Sequence, residues 1–291
     1  LVLGKGSVVG DALTSHARVA GVAFTGSTIT ARHIQRSLAN RDAPIATFIA
    51  ETGGQNAMIV DSTALLEQVV DDVVVSAFGS AGQRCSALRV LYVQEDIADD
   101  CITLLQGAVQ ELSVGNSEQM TVDVGPVIDE GARDTLEKHI RSMKRQGTLI
   151  AKAENVSEDG YYVAPHVFEI EAISQLKEEV FGPILHVIRY GADALDEVIA
   201  DINSTGYGLT FGLHSRLASR MELLSRRIQV GNVYINRSMI GAMVGVQPFG
   251  GRGLSGTGPK AGGPHYLLAF CHEKTVSNNI AAIGGNLELL I

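Results

Sequence analysis

The stretch that decides the fold is VAGVAFTGSTITARHIQRSLANRDAPIATFIAETGG, residues 19–54. It begins with a short apolar run, continues through a turn of small residues, and then places apolar residues at helical spacing. A second apolar run, Ile45 to Ala50, follows Asp42-Ala43-Pro44. The stretch therefore predicts a strand, a helix and a parallel strand with a right-handed crossover, which is half of a dinucleotide-binding sheet or less.

Helices and strands continue to alternate along the rest of the chain, and this alternation predicts an α/β fold with a second sheet rich in parallel strands. Upstream, Gly6 and Gly10 are interpreted as remnants of a phosphate-binding turn. Residues 237–263 are dense in glycine and are a candidate functional loop. We predict helices over 61–79, 96–112, 129–146, 193–202 and 217–228, and strands over 88–94, 148–151, 161–168, 185–190, 209–213 and 232–235.

Composition excludes several classes of protein. The chain has 291 residues, 45% hydrophobic residues and a net charge of −9, which fits one large domain or two modest ones. Its Lys and Arg residues are scattered, so we expect no nucleic-acid partner, and no apolar stretch is long enough for membrane insertion. Three widely spaced cysteines suggest neither a disulfide framework nor a metal site, and they favour a reducing, cytoplasmic location. Because the first residue is Leu1, we expect a piece of a larger polypeptide.

Cys85 lies in SAGQRCSA, residues 80–87, a loop of small residues before a predicted strand. A thiol in such a loop can face a cavity, and its own backbone N–H can face a developing oxyanion. The alternative is a buried and inert cysteine. Cys101, on a helix with apolar neighbours, and Cys271, interpreted as part of an apolar strand, fit that alternative.

Glu51 lies at the carboxyl end of an apolar strand, and Gly53 and Gly54 follow it. Ligands of open α/β sheets bind at this edge. Apolar neighbours would raise the pKa of the carboxyl group, which could then act as a general base near neutral pH. The alternative is a solvated acid at the end of a strand.

Two further motifs place an aromatic residue beside glycine, namely EEVFGP at residues 178–183 and PFGG at residues 248–251. The first can also be a turn with a solvated acid, and the second an aromatic that fills the base of a loop. The order of all these motifs along the chain is more informative than any one of them.

In that order, the motifs resemble signatures of the aldehyde dehydrogenase family. Residues 51 and 85 are 34 positions apart, which matches the family's spacing of base and nucleophile. More narrowly, residues 51–62, 237–251 and 254–267 resemble the L-glutamate γ-semialdehyde dehydrogenase module of bacterial proline utilization A. The signatures are FTGS (Phe24–Ser27), ETGG (Glu51–Gly54), GQRCSA (Gly82–Ala87), EEVFGP (Glu178–Pro183) and PFGG (Pro248–Gly251).

The resemblance implies the chemistry of the site. Cys85 resembles the nucleophile, which forms a thiohemiacetal and then a thioester, and Glu51 resembles the base that activates water for thioester hydrolysis. The presence of Glu51 argues against the acyl-transferring relatives, which lack this base. The implied reaction is NAD-dependent oxidation of L-glutamate γ-semialdehyde to L-glutamate, the second step of proline degradation.

The resemblance also implies binding residues for the cofactor NAD. Gly26 and Ser27 match the pyrophosphate contact at a helix N-terminus, where amides and the helix dipole favour an anion. Gly53 is assigned to the same cofactor. Glu179 matches the acid that binds the nicotinamide ribose, and Phe181 the ring behind the nicotinamide. The residues that select NAD over NADP lie upstream in the family.

Four positions match the substrate loops of the semialdehyde enzymes. Ser86, Gly241 and Ala242 would hold the α-carboxylate, because backbone N–H groups of a glycine-rich loop can bind an anion without an arginine. Phe249 would pack on the aliphatic stem of the substrate.

The resemblance implies an aldehyde dehydrogenase-like fold, in which a partial Rossmann-type NAD-binding sheet precedes an α/β catalytic domain. We predict boundaries at 1–53 for the cofactor part, 54–256 for the thiol-bearing part, and 257–291 for a returning helix and an oligomerisation tail near Lys274–Val276. The partners implied are a small aldehyde and, in the intact protein, a second copy of the chain. One alternative is a non-catalytic binding or oligomerisation module on the same scaffold, and another is a thiol acyltransferase.

Overall fold

A computed structural model describes residues 1–157 and 160–279. The α-helices are α1 (Gly6–Ser15), α2 (Thr28–Ala39), α3 (Leu66–Phe78), α4 (Glu95–Gln110), α5 (Glu130–Gln146), α6 (Leu195–Ser204) and α7 (Ala218–Arg227). The strands are β1 (Gly21–Thr25), β2 (Thr47–Glu51), β3 (Ala57–Val60), β4 (Val90–Gln94), β5 (Ser113–Val114), β6 (Thr148–Lys152), β7 (Asn155–Val156), β8 (His166–Glu169), β9 (Ile184–Tyr190), β10 (Tyr207–Gly208), β11 (Thr210–His214), β12 (Asn232–Ile235) and β13 (Arg252–Gly253).

The first unit is β1–α2–β2, and its two strands are parallel, as the sequence predicts. Ser27 caps α2, since its hydroxyl oxygen accepts a hydrogen bond from the Thr30 N–H at 3.1 Å. The strands form a two-stranded sheet of their own, with Thr25 opposite Glu51. This register places the turn after β1 beside Glu51, the last residue of β2.

The second sheet has the strand order β12-β11-β3-β4-β9-β8-β6, and only the β6–β8 pairing is antiparallel. This confirms the predicted parallel-rich sheet. Every residue of β3 and β4 is buried, which is the pattern of central strands covered on both faces. The hydrophobic core is built on these strands together with other elements that include α3, α4 and α5.

The sequence places the start of one helix too early. The predicted capping residues, 61–63, form a turn instead, in which one carboxylate oxygen of Asp61 accepts the Thr63 N–H at 2.8 Å and the Thr63 hydroxyl at 2.6 Å. Asp side chains commonly close such turns two residues ahead of themselves. Helix α3 then begins at Leu66.

Three other predictions are corrected. Gly6 and Gly10 lie within α1 and form no phosphate-binding turn. In the described residues of 257–279, the predicted returning helix is only a 3-10 helix, Leu267–Phe270. Residues 271–279, including the predicted strands at Cys271 and at 274–276, have no regular structure, and Cys271 is exposed. The end of the predicted tail, 280–291, lies outside the described residues.

The two sheets meet where the carboxyl ends of β1 and β2 face the amino ends of β3, β4 and β9. Residues 52–56 join β2 directly to β3, and the loops of residues 79–89 and 178–183 precede β4 and β9. The predicted domain boundary at residues 53 and 54 falls in the first of these links and stays a prediction. Within the described ranges, no helix is long and apolar enough to cross a membrane.

Candidate active site

One cavity of about 940 Å³ lies at the junction of the two sheets. Every candidate site residue predicted from the sequence lies on its wall, although the outermost two, Gly26 and Phe249, are 223 positions apart in the chain. Their placement in one cavity is a structural observation, whereas the individual roles assigned to them stay predictions. The selected residues are Gly26, Ser27, Glu51, Gly53, Cys85, Ser86, Glu179, Phe181, Gly241, Ala242 and Phe249.

The loop that carries Cys85 has an unusual backbone. Ser80, Ala81 and Gly82 are consecutive left-handed residues, with φ values of 57°, 54° and 64°. Side chains disfavour this region, so the conformation of the first two residues costs energy that the surroundings must offset. A Cβ atom at Gly82 would lie 2.2 Å from the Gly182 carbonyl oxygen, and glycine alone permits this approach.

Buried polar groups hold the segment around Cys85 in place. The side-chain amide of Asn56 donates to the carbonyl oxygens of Cys85, at 2.7 Å, and Ala87, at 2.9 Å. The hydroxyl of Thr210 donates to the Ser86 carbonyl oxygen at 3.2 Å. The thiol is thus fixed on the cavity wall by contacts from β11 and from the link between the sheets.

The Cys85 thiol is half-buried, and its pKa is raised. Burial is the main cause, the negative charges of Glu179 and Glu51 add to it, and the N–H groups of Ser86 and Cys85 oppose it. Burial also raises the pKa of Cys101, to about 11, but that thiol lies in the core. Cys85 is therefore the cysteine that combines access to the cavity with backbone N–H donors.

The Glu51 carboxyl group lies against the PFGG turn. One oxygen accepts the Gly251 N–H at 3.0 Å, and the other is buried and has no hydrogen-bond partner among the described residues. Burial raises the pKa of Glu51 to about 7, against the lowering effects of the Gly251 N–H and Lys260. A carboxyl group with this pKa can accept a proton near neutral pH, as the apolar strand predicted.

Glu179 packs against residues 53 and 54 of the link between the sheets. Its carboxylate lies so close to Gly53 that a Cβ atom there would be 1.6 Å from a carboxylate oxygen. Burial raises the pKa of Glu179, while the charge and hydrogen bond of Arg89 and the Gly54 N–H lower it.

Arg89 is a buried residue of this site that was not predicted from the sequence. It is 1% exposed, and it donates to the carbonyl oxygens of Gly82 at 2.7 Å, Arg84 at 3.1 Å and Gly182 at 3.2 Å. The guanidinium also lies 5.3 Å from the centre of the Phe181 ring. Only the unusual charge within the apolar run LRVLYV, residues 88–93, could have indicated it.

The remaining cavity wall fits a dinucleotide. The positive end of the α2 dipole, at Ser27 and Thr28, suits a pyrophosphate, and Gly26 lies in the turn before it. The Phe181 ring is 44% exposed and offers an apolar face to a flat ligand ring. The Glu179 carboxylate can accept hydrogen bonds from ribose hydroxyls.

The predicted substrate side forms another part of the wall. Ser86 is buried, and Gly241 has a left-handed φ of 77° with open space around its Cα atom. Phe249 lies at the PFGG turn, where it is bridged to Ala261. The nearby Val244 side chain is 95% exposed and also reaches the cavity, a contact that the sequence analysis did not select.

This fold and this site define the class of protein. Residues 1–276 match the model of the aldehyde dehydrogenase family, and the chain belongs to that family. The loop that carries Cys85, the ETGG link and the PFGG turn lie within the matched residues.

Within the family, the chain is similar to two kinds of bacterial protein. The chain is 54% identical over 285 residues to the bifunctional protein PutA of Klebsiella aerogenes, covering 94% of this chain and 22% of that protein. It is 37% identical over 279 residues to 1-pyrroline-5-carboxylate dehydrogenase of Geobacillus thermodenitrificans, covering 94% of this chain and 54% of that enzyme. The chain thus spans about a fifth of the first relative and about half of the second.

Solved structures of related proteins have the same fold as this chain. A structure of a proline utilization A variant from Bradyrhizobium japonicum has a TM-score of 0.94 and 58% identity, covering 98% of this chain and 29% of that chain. A 1-pyrroline-5-carboxylate dehydrogenase from Thermus with bound NAD has a TM-score of 0.86 and 37% identity, covering 92% of this chain and 52% of that chain. Both confirm the aldehyde dehydrogenase-like α/β fold.

Proposed function

We propose that this chain carries the nucleophile and the base of an NAD-dependent dehydrogenase that oxidises L-glutamate γ-semialdehyde to L-glutamate. The observation that carries the proposal is that Cys85 and Glu51 line one cavity while the pKa of Glu51 is about 7. The names of the relatives, proline utilization A and 1-pyrroline-5-carboxylate dehydrogenase, support this substrate.

In the first step, the Cys85 thiolate attacks the aldehyde carbon. A carbon–sulfur bond forms, and the electron pair of the carbonyl π bond moves to oxygen, which gives a thiohemiacetal oxyanion. The backbone N–H of Cys85 is available to stabilise this charge. The hydrogen bonds from Asn56 and Thr210 to the loop carbonyls keep that N–H and the thiol in a fixed relation.

In the second step, the oxyanion collapses to a carbonyl, and the aldehyde hydrogen leaves with its electron pair. Bound NAD supplies the acceptor for this hydride. The chain would orient the dinucleotide through the Glu179 carboxylate, the Phe181 ring and the N-terminus of α2 at Gly26 and Ser27. Residue Gly53 borders the same region of the cavity. The product of this step is a thioester on Cys85.

In the third step, Glu51 takes a proton from a water molecule, whose oxygen attacks the thioester carbon. The carbon–sulfur bond breaks, the Cys85 thiolate is released, and the product acid gives its remaining proton to solvent and leaves as a carboxylate. A base with a pKa of about 7 suits this step, because an ionised fraction and a useful basicity coexist near neutral pH.

The α-carboxylate of the substrate would bind to Ser86 and to the N–H groups at Gly241 and Ala242. The absence of a bulky side chain at Gly241 leaves its backbone accessible. Phe249 would cover the aliphatic carbons between the two ends of the substrate.

The test is NADH formation on rapid mixing of γ-semialdehyde and NAD with the complete gene product that contains this chain. We expect Cys85→Ala to abolish the reaction, whereas Cys271→Ser, which changes an exposed cysteine, should leave it intact. Unchanged turnover in Cys85→Ala would overturn the proposal. Equal reactivity of Cys85 and Cys101 toward an alkylating reagent would instead support a non-catalytic module.

Two expectations from the resemblance belong to the same proposal. A homo-oligomer of the intact protein is tested by light scattering at several concentrations. The cytoplasmic location is tested by fractionation of the source cells, with the chain detected in each fraction.

A further inference from the structure

The two oxygens of the Glu51 carboxyl group have different surroundings. One is bonded to the Gly251 N–H at 3.0 Å, while the other is buried and unpartnered within the described part of the chain. An ionised carboxylate in this state has lost solvent without gaining a second donor, which costs free energy. A positive charge that does not touch the carboxylate must therefore stabilise the ionised form of Glu51.

Residues 256–261 run past Glu51 and bring such a charge close. Glu51 is bridged to Gly256, and the Thr257 N–H donates to the Ala50 carbonyl oxygen at 2.9 Å. The segment then pairs with the PFGG turn, through two hydrogen bonds of 3.0 and 2.8 Å between Phe249 and Ala261. Lys260, which precedes Ala261, is therefore opposite Gly250.

Gly250 separates the carboxyl group from the lysine. A Cβ atom on Gly250 would lie 2.6 Å from the unpartnered oxygen of Glu51, so this oxygen packs on the Gly250 Cα atom. On the far side of Gly250, the Lys260 ammonium donates a hydrogen bond to the carbonyl oxygen of Gly231. Gly231 in turn packs against the carbonyl group of Gly250. Lys260 is half-buried, and this hydrogen bond fixes the position of its charge.

Two other titratable groups near Glu51 are acids: a thiol and a carboxyl group. The Cys85 thiol faces it from the nucleophile loop, and its pKa is raised by the Glu51 charge. Glu179 faces residues 52–54 and is paired with Arg89. On the side of the PFGG turn, Lys260 is the cation that lowers the pKa of Glu51. Burial lowers the pKa of Lys260, and the charge of Glu51 opposes that effect by favouring the ammonium form.

We propose that Lys260 is a positioning residue for Glu51, whose fixed ammonium keeps the carboxylate ionised against the Gly250–Gly251 turn, ready to take a proton from the hydrolytic water. This inference deepens the proposed function and rests on it. It assigns Lys260 a part in thioester hydrolysis and none in thioester formation.

The first test follows the Glu51 carboxyl carbon directly. The ¹³C resonance of its side-chain carboxyl group, assigned by its loss in Glu51→Gln, is titrated with pH. We expect the midpoint to move to higher pH in Lys260→Met, to stay near that of the unmodified protein in Lys260→Arg, and not to move in Lys138→Met, which removes an exposed lysine. An unmoved midpoint in Lys260→Met would overturn the proposal.

The second test separates the two chemical steps without NAD. An activated nitrophenyl ester acylates Cys85 in a burst of nitrophenolate, and the slower steady state reports hydrolysis of the thioester. We expect Lys260→Met to keep the burst and to slow hydrolysis about threefold to tenfold at pH 6, with the difference disappearing at pH 9, where Glu51 is ionised in either protein. Lys260→Arg should restore the rate.

The outcomes distinguish a failure of the inference about Lys260 from a failure of the proposed function on which it rests. A burst that persists in Cys85→Ala would overturn the proposed function, while the carboxyl titration would still decide the effect of Lys260. If Lys260→Met does not fold, Lys260→Gln replaces it, since the amide can still donate to the Gly231 carbonyl without a charge. Equal hydrolysis at pH 6 in Lys260→Gln and the unmodified protein would refute the inference.

Discussion

The Arg89 guanidinium and the Glu179 carboxylate form a buried ion pair, with a nitrogen–oxygen distance of 3.5 Å and side chains that are 1% and 16% exposed. The same guanidinium binds two carbonyl oxygens of the thiol loop, those of Gly82 and Arg84. One side chain therefore fixes both the loop that carries Cys85 and the acid proposed to bind the ribose. Displacing either side of this pair should disturb the other.

We first predict that Arg89→Met destabilises the protein strongly. The substitution leaves Glu179 and three carbonyl oxygens without their buried donor, and breaking a buried pair from one side costs about 3–5 kcal/mol. Urea unfolding measures the change. Arg84→Met is the matched control, because Arg84 is exposed and is in the same loop; its effect should be below about 1 kcal/mol.

A double substitution tests whether the pair is responsible. Replacing Glu179 by Gln in the Arg89→Met background should cost less than the sum of the two single changes, since the uncompensated charge is removed. Strict additivity would show that the Arg89 effect comes from its carbonyl contacts alone.

The sequence predicted β4 and β9, at residues 88–94 and 185–190, but neither β3 nor the buried charge. The runs of β3 and β4 are almost entirely apolar because these strands are covered on both faces, so local pattern and tertiary position agree there. Arg89 departs from that pattern, and its partner Gly182 is 93 residues away. No local rule connects two such positions.

The errors at element ends have a similar origin. Asp61 and Thr63 have the composition of a helix cap, yet their side chains close a turn, and the competition between these two uses is settled by what packs nearby. Among the cavity residues, Cys85 and Glu51 were found because each follows or precedes a recognisable strand. Lys260 was not, because its position opposite Gly250 depends on pairing between two irregular segments.

We next predict that Glu179→Gln makes Cys85 more reactive near neutral pH. The negative charge of Glu179 raises the pKa of the Cys85 thiol, so its removal should lower that pKa and increase the thiolate fraction. The rate of alkylation by iodoacetamide at pH 7.5 should rise severalfold. In Glu178→Gln, which changes the adjacent exposed acid, the rate should stay the same; an equal rise there would assign the effect to general surface charge.

A third prediction concerns stability and pH. Because the folded-state pKa of Glu51 is raised from 4.5 to about 7, folding favours its protonated form, and this contribution is lost as the pH rises through about 7. Glu51→Gln should therefore be more stable than the unmodified protein at pH 8, by about 1–3 kcal/mol, and similar to it at pH 4.5. Urea midpoints at the two pH values measure this difference, and a gain of the same size at both would contradict the assignment to ionisation.

The last prediction uses the contact between Gly53 and Glu179. In Gly53→Ala, the new methyl group would lie 1.6 Å from a carboxylate oxygen of Glu179, so the carboxylate must move away from residues 53 and 54. The side chain is flexible, so we expect a moderate loss of stability of about 1–2 kcal/mol, together with a weaker hold on the ribose. In the complete gene product, KM for NAD should rise about tenfold while the ester burst at Cys85, which needs no cofactor, persists. Gly107→Ala is the control: it lies within α4 with open space around its Cα atom, so it should leave KM unchanged and stabilise the helix by about 0.5–1 kcal/mol. If KM for NAD in Gly53→Ala equals that of the control, the displaced carboxylate has no part in binding the ribose, and the assignment of Glu179 to the cofactor is wrong.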